Sequence, residues 1–181
     1  MYSSNTDIVF RRLNPNDTLK SFDCANPDLN DFFINDAQNY AKELLAVTYV
    51  IESSNDTIAF FCVSNDLICT DDSDNATWRK IRKEIPHSKH RGDYPAVKIG
   101  RLGVSNKYKQ QGYGRMIIDY VKTTFIDNNR TGCRFITVDA YGEAIPFYIK
   151  NGFKFLLKED QLKKKDSTDT YLMYFDLSSL L

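Results

Sequence analysis

Residues able to do chemistry concentrate between Arg101 and Val121, which read RLGVSNKYKQQGYGRMIIDYV. An apolar strand (Val97, Ile99, Leu102, Val104) runs into a polar loop, which ends in Gly112-Tyr113-Gly114, and a helical pattern starts at once. That order builds an anion site. Glycines let successive backbone N–H groups turn the same way, and a new helix adds its unpaired donors and positive dipole end. The expected ligand carries a pyrophosphate. Lys109, Gln110, Gln111 and Arg115 flank the glycines, Lys109 as a point charge and Arg115 as a planar fork. No Gly-Lys-Ser/Thr follows, which excludes a P-loop, and the spacing does not fit a dinucleotide GxGxxG.

A second stretch, Asp139 to Phe155, reads DAYGEAIPFYIKNGFKF. Two motifs follow one another: the KQQGYG loop that opens a helix, then Ala144-Ile145-Pro146-Phe147-Tyr148-Ile149-Lys150-Asn151-Gly152-Phe153. Together they resemble the Gcn5-related N-acetyltransferase (GNAT) superfamily. Its pyrophosphate loop is usually written Q/R-x-x-G-x-G/A, and its late helix A-x-x-F-Y-x-x-x-G-F. Lys109 stands at the Gln/Arg position, a mild departure for a loop that works mainly through backbone donors.

The resemblance spans roughly residues 8–177 and implies acetyl-CoA as cosubstrate. It places the pantetheine arm along Leu102, Gly103 and Val104, whose amides would polarise the thioester carbonyl. It places the pyrophosphate on the loop from Lys109 to Arg115, that is Lys109, Gln110, Gln111, Gly112, Tyr113, Gly114 and Arg115. A neutral amine must attack the thioester carbon, and the departing CoA thiolate needs a proton or a hydrogen bond. Free thiols titrate near ~8.5 and phenols near ~10, so a tyrosine is a workable donor. Tyr148 takes that position by resemblance; read from its residue type alone, it is a packing aromatic like Phe147 and Phe153. Tyr141 reads as structural. Glu143 and Asp139 are candidates for a general base by sequence proximity only.

Phe22-Asp23-Cys24, followed by Leu29-Asn30-Asp31-Phe32-Phe33, resembles the opening of the GNAT subgroup that includes aminoacyl-tRNA-acetylating toxins of toxin–antitoxin pairs. The strand Gly100-Arg101-Leu102-Gly103-Val104 is close to that subgroup's G-R-L-A-V. A tRNA acceptor needs cations for its phosphates. Arg79, Lys80, Arg82, Lys83, Lys89, Arg91 and Lys163 to Lys165 are available, with Asp66, Asp71, Asp72 and Asp74 nearby to offset them. Three functions follow. The first is an acetyl-CoA-dependent N-acetyltransferase acting on a primary amine of unknown identity. The second is a toxin that acetylates the α-amine of aminoacyl-tRNA, with an antitoxin partner. The third is a non-catalytic acyl-CoA- or partner-binding module.

These residues need positioning elements. Residues 8–13 read as a strand. Asn26-Pro27 is a helix start, Asn as N-cap and Pro in the first turn, with Leu29, Phe32, Phe33, Ala37 and Tyr40 on one apolar face. Residues 46–52 and 57–69 read as a hairpin around a turn at 53–56. A polar loop at 71–75 precedes a short helix at 77–85, ended by Pro86. A strand at 96–104 leads through the glycine loop into a helix with Met116, Ile117, Tyr120, Val121 and Thr124 on one face. A turn at 128–132, a strand at 135–140 and a helix at 144–150 stopped by Gly152 follow. Strands at 153–157 and 170–177 close the chain around a charged hairpin loop at 158–169. The expected fold is α/β (α+β): one GNAT-like domain over residues 1–181. Its central mixed, mostly antiparallel twisted sheet carries helices on both faces and has splayed central strands.

At 181 residues one domain is the default. Lys plus Arg and Asp plus Glu are 24 each, so net charge gives no argument for nucleic acid or an anionic membrane. Cys24, Cys62, Cys69 and Cys133 form no CxxC pair, and no cysteine lies near His87 or His90, so no metal is expected. There is no membrane-span run and no signal-peptide core, which reads as a cytoplasmic protein with reduced thiols. Oligomeric state stays open, a homodimer included.

Overall fold

The computed structural model describes residues 8–69, 75–85, 92–127, 129, 131–156 and 170–181. Seven strands form one mixed sheet in the order β1-β2-β3-β4-β5-β7-β6. They are β1 (Val9–Arg12), β2 (Val47–Glu52), β3 (Thr57–Cys69), β4 (Asp93–Val104), β5 (Phe135–Tyr141), β6 (Lys154–Phe155) and β7 (Thr170–Asp176). The pairs β1–β2, β2–β3, β5–β7 and β6–β7 are antiparallel. β4 and β5 are parallel, which requires a crossover connection between them. Their register covers only Ala96–Lys98 against Phe135–Thr137. The expected α/β class with a mostly antiparallel mixed sheet is what the chain adopts.

The chain folds as two compact units, one of residues 1–64 and 99–120, the other of residues 65–98 and 121–181. The first is built around an aromatic cluster. Asn26 caps α1 (Pro27–Asp31) with its side-chain oxygen, which accepts from the Leu29 amide at 3.1 Å, and Pro27 sits in the first turn where no donor is missed. The helix continues through a π-helical segment, Phe32–Asp36, into α2 (Ala37–Lys42). Phe22, Phe32, Phe33 and Phe60 pack with Leu13, Ala37 and Val50. The Phe33 and Phe60 rings stack at 4.8 Å, and Phe22 meets Phe60 edge-on at 5.2 Å.

In the second unit, α3 (Asn75–Lys83) buries Trp78 and Ile81, one helical turn apart, against Ile68, Tyr94, Ala96 and Phe135. α5 (Ile145–Lys150) follows β5. The helix α4 (Tyr113–Asp127) runs from the glycine loop.

Several expectations shift. Tyr40 is largely exposed, its ring edge on Phe32, and Ala41 is buried instead; the extra residue per turn in the π segment moves the packed face. On α4, Met116 is exposed while Ile117, Ile118 and Val121 are buried, the narrower stripe that an i, i+1, i+4 pattern allows. The third helix spans 75–83 rather than 77–85, and β4 begins before Pro95, whose missing donor falls ahead of the β5 register at Ala96. β6 is a two-residue strand within the expected 153–157. Pro86, His87, His90, Lys89, Arg91, Lys163 to Lys165, the polar residues 71–74 and the hairpin loop at 158–169 lie outside the described residues.

Candidate active site

In the first unit the glycine loop is held by a hydrogen-bond lattice to the N-terminal segment. Asp23 accepts from the Ala25 amide and from Asn30 Nδ2, both at 2.8 Å. Asn30 Oδ1 in turn accepts from the Cys24 amide at 3.0 Å and from its Sγ at 3.2 Å. The amide hydrogen bond from Ala25, then the one from Asn30, holds the Asp23 carboxyl below its ordinary range, while burial pushes the Cys24 thiol up and keeps it protonated. The loop docks on this lattice. The Asn106 amide donates to the Asp23 carbonyl at 2.9 Å, and the Ser105 amide to the Ile58 carbonyl at 2.8 Å. Lys109 Nζ reaches the Cys24 carbonyl at 3.0 Å, and Tyr108 Oη reaches Asp56 at 3.2 Å. These side chains give the Phe22-Asp23-Cys24…Asn30 pattern a physical purpose: it fixes the ground on which the loop stands.

Two backbone reversals then aim the chain. Gln110 has φ of 62° and Gly112 of 89°. Nothing lies within 4 Å of where a Gly112 Cβ would stand, so conformation rather than crowding selects glycine there. The Met116 amide donates to the Gly112 carbonyl at 3.0 Å, which makes Gly112 the N-cap of α4. A glycine cap has no side chain to satisfy the first helical amides, so those of Tyr113, Gly114 and Arg115 are left for solvent or an anion.

The expected loop residues therefore stand as follows. Gln110, Gln111 and Gly112 are exposed, and Tyr113 and Gly114 half-buried. Gln111 Nε2 donates to the Lys107 carbonyl at 3.2 Å. Lys109 turns its ammonium to the Cys24 carbonyl, so its visible task is to anchor the loop. Arg115 is well exposed beside Asp119 at 3.6 Å. Leu102 and Val104 are half-buried on β4. Gly103 is buried: a Cβ there would stand 2.8 Å from the Phe60 ring and 3.1 Å from Phe22. The aromatic cluster explains why this strand carries Gly where the resemblance offers Ala. Sequence reasoning also passed over Arg101, whose guanidinium lies 4.8 Å from the Phe32 centroid and 3.5 Å from Asp28.

In the second unit Tyr148 is 6% exposed. It lies on α5, which starts with Pro146 in its first turn and ends in a Schellman cap. The Phe153 amide bonds back to the Tyr148 carbonyl at 3.0 Å and the Gly152 amide to the Ile149 carbonyl at 2.9 Å, with Gly152 at φ of 84°. Phe147 and Phe153 hold the phenol ring edge-on at 5.1 and 5.3 Å. Burial alone pushes the Tyr148 phenol above its ordinary value. Asp139 is partly exposed and ion-paired with Lys98. Glu143 sits in a 3₁₀ turn, Gly142–Ala144, next to Tyr141. Among the described residues no group of three His, Cys, Asp or Glu side chains converges as a metal site would require.

A family model described as an acetyltransferase (GNAT) domain matches residues 45–155, and the chain belongs to this family. It is an acyltransferase by that membership. No curated protein sequence matches the chain. Among solved structures, a bacterial toxin aligns with TM-score 0.77 at 16% identity, covering 97% of this chain and 93% of that one. A tyrosine-to-phenylalanine mutant of KacT aligns with TM-score 0.77 at 18% identity, covering 96% of each chain. AtaT complexed with acetyl-methionyl-tRNAfMet aligns with TM-score 0.75 at 18% identity, covering 96% and 97%. At these identities the likeness is one of fold. No helix among the described residues is long and apolar enough to cross a membrane.

Proposed function

We propose that residues 1–181 act as one N-acetyltransferase domain that moves acetyl from acetyl-CoA to a primary amine by direct attack. The observation that carries this reading is the start of α4, which Gly112 caps without a side chain, set on a loop that the Asp23, Asn30 and Asp56 lattice holds in place. The amides of Gly112, Tyr113, Gly114 and Arg115 take the CoA diphosphate, with Arg115 as the side-chain cation. Main-chain groups of Leu102, Gly103 and Val104 take the pantetheine arm and polarise the thioester.

The amine nitrogen attacks the thioester carbon, the C–S bond breaks, and the amine proton leaves to solvent. Tyr148 donates to the departing sulfur. The free-group gap of ~1.5 pKa units between phenol and thiol already opposes full transfer by about 2 kcal/mol, and burial widens it. The phenol therefore works mainly as a hydrogen-bond donor that surrenders its proton late. Support for the acceptor comes from fold likeness to AtaT bound to acetyl-methionyl-tRNAfMet. The favoured acceptor class within the amine reading is thus the α-amine of a charged tRNA, and the partner class an antitoxin like the one that binds the similar AtaT. Incubation with labelled acetyl-CoA, charged tRNA and a panel of free amines checks this. Label on the aminoacyl group is expected; label on free amines alone would remove the tRNA reading, and none anywhere would leave a non-catalytic CoA-binding module.

A further inference from the structure

α3 gathers four cations on one short helix. Trp78 and Ile81 point into the core, 6% and 2% exposed. The opposite side carries Arg79, Lys80, Arg82 and Lys83, all exposed. Their spacings, i+1, i+3 and i+4, put like charges side by side, which destabilises an isolated helix. The negative end of the helix dipole offsets part of that repulsion for cations in the last turn, but it is equivalent to only about half a charge.

Several cations on other elements are matched with acids. Arg11 pairs with Asp17 and Glu52, Lys107 with Asp56, Arg115 with Asp119, and Arg134 with Asp176. Among the described residues none of the four α3 cations is ion-paired. In a chain of zero formal net charge, this is a local positive patch held against its own repulsion by a two-residue apolar anchor.

We infer that the outer face of α3 docks the phosphate backbone of an RNA stem, which rests on the charged-tRNA reading of the acceptor. Charge complementarity selects a polyanion. A bilayer is the poorer occupant, because interfacial helices insert aromatic or aliphatic residues, and both large apolar side chains of α3 are committed to the core. Two Arg and two Lys on one rigid helix match a row of phosphates and read no bases, so recognition here is of the backbone.

The test is a quadruple variant, Arg79→Gln with Lys80→Gln, Arg82→Gln and Lys83→Gln. All four sites face solvent, and circular dichroism with a thermal scan checks that the fold is kept. Binding of an uncharged tRNA is measured between about 50 and 200 mM salt, where phosphate contacts make affinity strongly salt-dependent. A DNA hairpin of the same stem sequence and phosphatidylserine vesicles serve as competing probes. The variant is expected to bind tRNA more than about 30-fold more weakly at the low-salt end, and its log–log salt slope to be shallower by about three. Acetyl transfer to a small free amine is expected to be unchanged.

Equal tRNA affinity and slope in the folded variant would overturn the inference. So would a wild type that prefers the vesicles or the DNA hairpin. The two readings separate: tRNA binding through α3 without any acetyl transfer supports the surface and sinks the enzyme, while transfer to amines without tRNA binding does the reverse.

Discussion

Tyr148 owes its place to its own helix end. The Schellman bonds onto its carbonyl and the edge-on rings of Phe147 and Phe153 leave the phenol little freedom. A Phe at this site keeps the ring contacts and removes only the hydroxyl. Tyr148→Phe is expected to keep its thermal midpoint and its CoA affinity, and to lose about 10² to 10⁴ in kcat. Because burial raises the phenol above its ordinary ~10, Tyr148 stays protonated through the assay range. The rising limb of the pH–rate profile then belongs to the acceptor amine, and the mutant should share it with a lower plateau. Full turnover in the mutant would reduce Tyr148 to a packing aromatic. The local features of the candidate site were legible in the chain: a glycine pair before a helix, a phenol before Gly152. Its supports were not, because Asn30 meets Asp23, Tyr108 meets Asp56 and Lys109 meets the Cys24 carbonyl only once the chain has folded, 7, 52 and 85 positions apart.

Elements whose signals are local could be read directly. Asn26-Pro27 announced α1, Gly152 announced the end of α5, and runs rich in β-branched and aromatic residues announced β2 and β3. Where packing decided, the reading slipped. The π segment at Phe32–Asp36 has no sequence punctuation, and it exchanged Tyr40 for Ala41 in the core. Glycine at 103 looked like part of a strand motif, yet its cause is the Phe60 ring 2.8 Å from its absent Cβ. The same distance says the strand cannot carry even a methyl group there unless Phe60 moves. On α3 the apolar pair and the four cations were both visible in the sequence, but only the structure turns them to opposite sides.

At the scale of the whole molecule, two buried thiols contribute to the loss of stability at high pH. Burial pushes Cys62 and Cys133 up to about 11. Above the ordinary thiol range the unfolded chain loses those protons before the native one does, so stability falls as pH rises toward 11, by about 1.4 kcal/mol per pH unit for each thiol. Urea unfolding between pH 8 and pH 10 should show this decline steepening toward about two protons of linkage near the upper end, and a Cys62→Ala, Cys133→Ala double variant should reduce it. An unchanged slope in that variant would assign the decline to other groups. The proposed function rests on the chain holding CoA by its main chain, and calorimetric titration of CoA into wild type and Gly112→Asp tests that most directly. A carboxylate at the cap, on a backbone with φ of 89°, opposes the diphosphate and the turn together. A folded Gly112→Asp protein that binds CoA at least about tenfold more weakly, or ~1.4 kcal/mol, is the predicted result; affinity equal to wild type would show that the diphosphate is held elsewhere.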